Sequence, residues 1–292
     1  MRLLLAGLGM LFAQHVAGNG GAELEARLRA AAAASGAEVA VALRTLDGRD
    51  EVLIDPDRHF HAASTMKVPV MIDLFAQAKA GALSLDDPLP ITNSFRSIVD
   101  GTPYSLSEQD DSDPSLYLET GRTRTLAELC SAMIAVSSNL ATNLLIERLG
   151  VEHIRDTVSR LGADGMQVLR GVEDGKAFAE GLNNTTTARG LLVLLERLAR
   201  GEAVDRASDA AMIDILKAQQ FTEGIPAGLP HGTAIAHKTG NITRIHHDAG
   251  IVFGPRPYVL VVLVRGIEDR KQSGTLIAEL SRIAFESLAG GP

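Results

Sequence analysis

Seven consecutive apolar residues near the C-terminus, Tyr258-Val259-Leu260-Val261-Val262-Leu263-Val264, constrain this chain most. The run is short, rich in β-branched residues and free of alternating polar positions, so it reads as a buried strand. Its partners come from both ends of the sequence. Ala234-Ile235-Ala236-His237-Lys238 and Ala249-Gly250-Ile251-Val252-Phe253 precede it. Glu38 to Leu43 and Glu51 to Ile54 lie near the N-terminus, joined by a turn at Asp47-Gly48-Arg49. The stretch between is mainly helical. Thr125 and Glu128 form a capping box ahead of one helix, and further helical patterns cover 140–149, 154–161, 187–200 and 208–219. Ala-rich residues 21–35 and the segment 276–288 add a helix at each end. The expected fold is α+β: an antiparallel sheet built from both termini and flanked by helices, with an inserted all-α region. Residues 18–63 plus 225–292 would form the α/β subdomain and 64–224 the all-helical one.

With 292 residues, 46% hydrophobic and no Trp, the chain can bury a large aliphatic core. A net charge of -8 without a basic stripe argues against nucleic acid as a partner. Met1-Arg2 followed by the apolar run Leu3 to Ala13 reads as a signal peptide over about residues 1–17, which predicts a periplasmic or secreted protein. That run is too short for a stable membrane anchor. Cys130 is the single cysteine, so no intramolecular disulfide forms, and its apolar neighbours predict a buried thiol. Residues 86–121 read as loops, with the acidic run 108–113 as a solvated one.

Ser64-Thr65-Met66-Lys67 opens another helix, ended by Gly81. A hydroxyl and an amine three residues apart share a face of a helix, so Lys67 can take the Ser64 proton. For an isolated S-x-x-K, a short and common pattern, a helix cap followed by a solvated lysine is the better reading. Three further stretches change the balance. Ser137-Ser138-Asn139 separates two helices, Lys238-Thr239-Gly240 ends a strand, and Leu182-Asn183-Asn184-Thr185-Thr186-Thr187 leads a polar loop into a helix.

In this order and spacing the motifs resemble those of class A serine β-lactamases and penicillin-binding proteins. The resemblance implies Ser64 as the acylated nucleophile and Lys67 as the amine that helps deprotonate it. It implies Ser137 as proton relay and Asn139 as a substrate-amide contact. Lys238, Thr239 and Gly240 would hold the substrate carboxylate, with Arg244 or His247 assisting. The backbone N–H groups of Ser64 and Asn241 would form the oxyanion hole. The deacylation loop departs from the family's E-x-x-L-N. Leu182-Asn183 match, but Ala179 stands at the glutamate position, Glu180 comes one place late, and the following segment is shortened. Glu180 is the expected catalytic acid, with Glu173 and Asp174 as alternatives.

The resulting expectation is an exported, β-lactamase-like serine hydrolase, monomeric and without metal or cofactor. It would act through a Ser64 acyl-enzyme on a β-lactam or a D-alanine-ending peptide, with deacylation slower than acylation because Ala179 stands at the glutamate position. A penicillin-binding D,D-peptidase, a small-ester esterase and a non-catalytic binding module remain as alternatives. His246-His247-Asp248 carries metal-ligating side chains, but neighbours on a strand face opposite ways, which argues against a shared metal site.

Overall fold

The computed structural model describes residues 19–289, so the expected signal peptide lies outside the described residues. Five strands form one antiparallel sheet in the order β2-β1-β11-β10-β9. They are β1 (Glu38–Thr45), β2 (Glu51–Ile54), β9 (Ala234–Ile242), β10 (Ile245–Phe253) and β11 (Tyr258–Arg265). Three two-stranded pieces complete the β structure: β3 (Phe60–His61) with β8 (Thr185–Thr186), β4 (Pro88–Pro90) with β7 (Thr123–Thr125), and β5 (Phe95–Arg96) with β6 (Pro103–Tyr104).

The helices are α1 (Asn19–Ala34), α2 (Lys67–Lys79), α3 (Leu126–Ala135), α4 (Asn139–Leu149), α5 (Val151–Arg160), α6 (Gly175–Ala179), α7 (Ala188–Arg200), α8 (Arg206–Lys217) and α9 (Arg270–Ala289). Among the described residues no helix is long and apolar enough to cross a membrane.

The apolar run takes the centre of the sheet because both of its faces are covered. β11 pairs β1 and β10 in full register, Val261 opposite Ala42 and Ala249. Val259, Val261 and Leu263, with Ala40 and Ala42, pack into the core shared with α2, α3, α4, α7 and α8. The alternate residues Leu260, Val262 and Val264 pack on Leu24 and Leu28 of α1 and Ile277, Leu280 and Ala284 of α9. Each such fully buried Val or Leu contributes roughly 1.5–3 kcal/mol. The order helices–sheet–helices therefore follows from a strand with no polar face to offer water. Cys130 is buried as expected, and burial pushes its thiol up to about 12.

The acidic run corrects one expectation. Asp111 is buried, accepting from Asn139 N and Leu140 N at 3.0 and 2.9 Å and from the Tyr117 hydroxyl at 2.9 Å. It is the anion at the start of α4, where unpaired N–H groups and the helix dipole favour negative charge. Glu108 and Asp110 are exposed as the sequence implies, and Asp113 is half-buried.

Candidate active site

Ser64 lies on a single 3-10 turn (Ala63–Met66) that runs directly into α2, rather than on the α-helix itself. In a 3-10 turn residues i and i+3 eclipse, so Ser64 and Lys67 still share a face. The turn is tied at several points. Thr65 N and Oγ1 donate to Ala62 O at 3.1 and 2.6 Å, Ala62 N donates to Asn184 O at 2.8 Å, and Ala63 N donates to His61 Nδ1 at 3.0 Å. Ala63 is held at φ 46°, a left-handed conformation costly for a residue with a side chain. β9 lies close against this turn. A Cβ on Gly240 would meet Thr65 Cγ2 at 3.1 Å and Ala62 O at 3.2 Å, tighter than an ordinary contact, so glycine eases the close approach of the strand.

Two buried lysines converge on one hydroxyl. Lys67 Nζ donates to Ser137 Oγ at 3.1 Å, to Ser137 O at 2.7 Å and to Asn139 Oδ1 at 2.9 Å. Lys238 Nζ donates to the same Ser137 Oγ at 3.0 Å and to Thr239 O at 3.0 Å. A hydroxyl has two lone pairs and one proton. With both lone pairs facing amines, the Ser137 proton is left for a group in the cavity. Burial pushes the Lys67 ammonium down to about 7, while Asp111 and Glu173 pull it upward. Lys238 is held well below the lysine range by burial and then by the Lys67 charge, with Asp248 opposing. Ser137 sits at φ 61°, a second left-handed residue in the cluster.

A carboxylate reaches the cluster from the loop before α6. Asn139 Nδ2 donates to Glu173 Oε1 at 2.8 Å, and Ser107 N donates to Oε2 at 3.1 Å. The placement follows from α4. Asn139 and Asn143 are four apart on one helix face. Asn143 pairs with the Val172 backbone on both sides, accepting from its N at 2.6 Å and donating to its O at 3.0 Å. The next residue, Glu173, then meets Asn139 one turn earlier. A Cβ on Gly171 would collide with Asn143 Oδ1 at 2.6 Å, which is why glycine stands there. Glu173 is itself left-handed, at φ 62°.

After Glu173 the chain turns away. The Asp174 carboxylate caps α6 through Ala177 N and fastens it to Ser97 Oγ and Ile98 N. Glu180 falls at the exposed C-terminal end of α6 and makes no hydrogen bond to Ser64, Lys67, Ser137 or Asn139. The expected acid Glu180 is therefore not brought to the cluster; Glu173 is. The loop is closed at its base by Arg170, whose guanidinium donates to Leu182 O, Gly171 O and Asn183 Oδ1.

Ser64, Ser137, Asn139, Thr239 and Asn241 line one cavity of about 280 Å³, with Asp110, Asp111, Ser112, Phe221 and Arg270 at its walls. Arg244 does not join them. It sits in the β9–β10 turn at φ 61°, with its guanidinium on Gly266 O at 3.3 Å and near Glu268. The cation in the wall is Arg270, at the start of α9, stacked 5.5 Å from the Phe221 ring centroid and 3.6 Å from Glu223. Arg270 and Phe221 have no motif of their own; only the tertiary packing of α9 beside the 219–224 segment brings them here. His247 is also directed elsewhere, donating through Nε2 to His61 O at 3.0 Å and accepting at Nδ1 from Val264 N. His246 turns to the opposite face, onto Ser273 Oγ at 2.8 Å.

A serine on a strained turn, two buried lysines, an S-x-N turn and a K-T-G strand on this sheet-and-helix fold are the marks of the serine β-lactamase and penicillin-binding protein superfamily. The chain belongs to the Beta-lactamase enzyme family, whose sequence model matches residues 23–288. It is 28% identical to a β-lactamase of Bacillus licheniformis over 248 residues, covering 80% of this chain and 73% of that protein. It is also 28% identical to the carbapenem-hydrolyzing β-lactamase KPC of Klebsiella oxytoca, over 80% of this chain and 78% of that one. Among solved structures, a β-lactamase of Sphaerobacter thermophilus superposes with a TM-score of 0.79 at 26% identity, covering 91% of this chain and 98% of its own. PBP-A superposes with a TM-score of 0.78 at 25% identity over 91% and 96%, and a mutant of it is known as an acyl-enzyme complex with penicillin G.

Proposed function

We propose that this chain is an exported, monomeric serine β-lactamase-like hydrolase that forms an acyl-enzyme on Ser64 and hydrolyses it with the help of Glu173. The observation that carries the reading is the Ser137 hydroxyl held between Lys67 and Lys238 in the cavity that Ser64 lines. The cleft would lie between the sheet subdomain (18–63 with 225–292) and the helical one (64–224).

In the acylation step Lys67, having lost a proton and with it one of its three hydrogen bonds, offers a lone pair; Ser64 Oγ attacks the β-lactam carbonyl carbon and its proton passes to Lys67. A lysine pushed down to about 7 is a usable base near neutral pH. The N–H groups of Ser64 and Asn241 receive the developing oxyanion. The ring C–N bond then breaks, the nitrogen takes the Ser137 proton, and the adjacent lysine returns one to Ser137. Asn139 binds the substrate amide, while Lys238, Thr239 and Arg270 hold its carboxylate beside Gly240. In deacylation Glu173 takes a proton from water as the water attacks the ester carbonyl; the bond to Ser64 Oγ then breaks, and the proton held by Glu173 returns to that departing oxygen. The Asn139 bridge supports this role by holding Glu173 beside Lys67.

The reading is tested with a chromogenic cephalosporin, a fluorescent penicillin and intact-mass spectrometry. Colour with repeated turnover, and a single adduct absent from Ser64→Ala, are the expected results. A lasting adduct without colour would indicate penicillin-binding behaviour toward D-alanine-ending peptides instead. No adduct with any penicillin would leave an esterase or a binding module. Export is tested by sequencing the N-terminus of protein from its native host; an intact Met1-Arg2 would count against it.

A further inference from the structure

His61 stands three residues before Ser64 and belongs to none of the motifs, yet it ties the nucleophile turn to the sheet through two contacts, one to the turn and one to β10. Its Nδ1 accepts from Ala63 N at 3.0 Å, and its carbonyl accepts from His247 Nε2 at 3.0 Å. Ala63, the residue whose amide it holds, is the strained one at φ 46° immediately before Ser64. Strain of this kind persists only where surrounding contacts over-determine it.

The chemistry fixes the state of the ring. A backbone N–H can only donate, so His61 Nδ1 must be the bare nitrogen and any proton must sit on Nε2. An imidazolium has N–H on both nitrogens and would set one donor against another.

We propose that His61 is a positioning residue: its neutral Nδ1, by accepting from Ala63 N–H, holds the left-handed turn that presents Ser64 to the cavity, and protonation of the ring releases that turn. The proposal rests on Ser64 being the acylated residue. The charged and titratable groups facing the ring are Arg170, in the loop closed by Asn184, and His247 on β10. Phe178 of α6 meets it edge-on, with ring centroids 6.4 Å apart. All of these oppose an added positive charge or decline to solvate it. Burial and then Arg170 accordingly lower the His61 pKa, so the turn stays closed at neutral pH and opens in mild acid.

Two acid limbs follow, one from Lys67 as base and a second, at lower pH, from His61. The parent acylation rate should therefore fall first with one proton and then with two as pH drops. His61→Leu, which removes the acceptor, should slow acylation about tenfold at neutral pH, equivalent to ~1.4 kcal/mol. His61→Asn keeps an acceptor two residues before the Ala63 amide, as in an Asx turn, and cannot titrate. It should restore the rate and leave only the Lys67 limb.

The experiment follows fluorescent penicillin acylation from about pH 4.5 to 8 in the three proteins, alongside an NMR titration of the Ala63 amide and the His61 ring nitrogens. A one-proton limb in His61→Asn, with the parent Ala63 amide shifting together with His61, supports the proposal. An identical two-proton limb in His61→Asn, or an Ala63 amide indifferent to His61, overturns it. If the parent takes no acyl group at any pH, the reading of Ser64 fails separately, and the NMR titration alone decides whether His61 holds the turn.

Discussion

The Asn139 side-chain amide donates to the Glu173 carboxylate at 2.8 Å, while its carbonyl accepts from Lys67 Nζ at 2.9 Å. One residue thus fixes the separation between the base proposed for acylation and the acid proposed for deacylation. Glu173→Gln has nearly the same shape and removes the charge; its one remaining oxygen can still accept from Asn139 Nδ2, at the cost of the Ser107 N contact. It should leave the acylation burst intact and slow release of the acyl group at least about a hundredfold, within the range of general-base contributions. Stopped-flow bursts and intact mass at successive times measure both steps. Glu180→Gln should change neither, because its side chain does not reach the cluster. Equal effects of the two variants would sink the assignment.

Arg270, rather than Arg244, is expected to recognise the substrate carboxylate. Arg270 shares the cavity wall with Thr239 and Asn241, whereas Arg244 spends its guanidinium on Gly266 and Glu268. Arg270→Ala should raise KM for penicillins roughly tenfold, the effect of losing a charge-assisted contact of about 1.5 kcal/mol. A neutral ester should be nearly unaffected. Arg244→Ala should leave both substrates within about twofold, the scatter usual for exposed substitutions. Steady-state kinetics on the anionic and neutral substrates checks the contrast.

Asp111 should matter for stability and for the site together. It accepts from the first two N–H groups of α4 and from the Tyr117 hydroxyl. Asp111→Ala should cost about 1–2 kcal/mol, as for other lost helix caps. Because Asn139 begins that helix, acylation should fall as well. A urea midpoint unchanged from the parent would contradict the capping role.

Much of this molecule was legible in the sequence because the signals were local or periodic. The apolar run at 258–264 located the central strand, and Thr125 with Glu128 form the capping box expected ahead of α3. Short spacings pair Ser64 with Lys67 and Ser137 with Asn139, but Lys67 and Lys238 reach the Ser137 hydroxyl across 70 and 101 residues through the fold, and Ser64 shares a cavity wall with Ser137 and Asn139. What escaped depends on chain path. Glu173 looks like any loop acid until Asn143 pins Val172; Asp111 sits in an acidic run that gives no sign which carboxylate turns inward. The family resemblance implies Arg244 as a carboxylate contact, but a tight turn in which Arg244 itself is left-handed directs its guanidinium to Gly266 and Glu268. The Arg270–Phe221 wall joins residues separated by all of β9, β10 and β11, which no spacing reveals.

Lys67 ties both activity and stability to pH. Its ammonium is pushed down to about 7 by burial, against an ordinary value near 10.4 in an unfolded chain. Between those two values the unfolded state binds more protons than the folded one, so this group makes stability rise with pH across that window. Acylation through neutral Lys67 should rise with pH along the same limb, reaching half its plateau near pH 7. Lys67→Met fills the same space without charge. It should lower acylation by about a hundredfold to ten-thousandfold, as expected for loss of a general base. It should also flatten the rise in stability above pH 7 and relieve the charge that helps hold Lys238 down. Activity and stability would then move in opposite directions on removal of one side chain. Denaturation midpoints from pH 6 to 10, measured beside acylation rates, test both; an unchanged stability slope would show that Lys67 stays charged in the folded protein and that the base lies elsewhere.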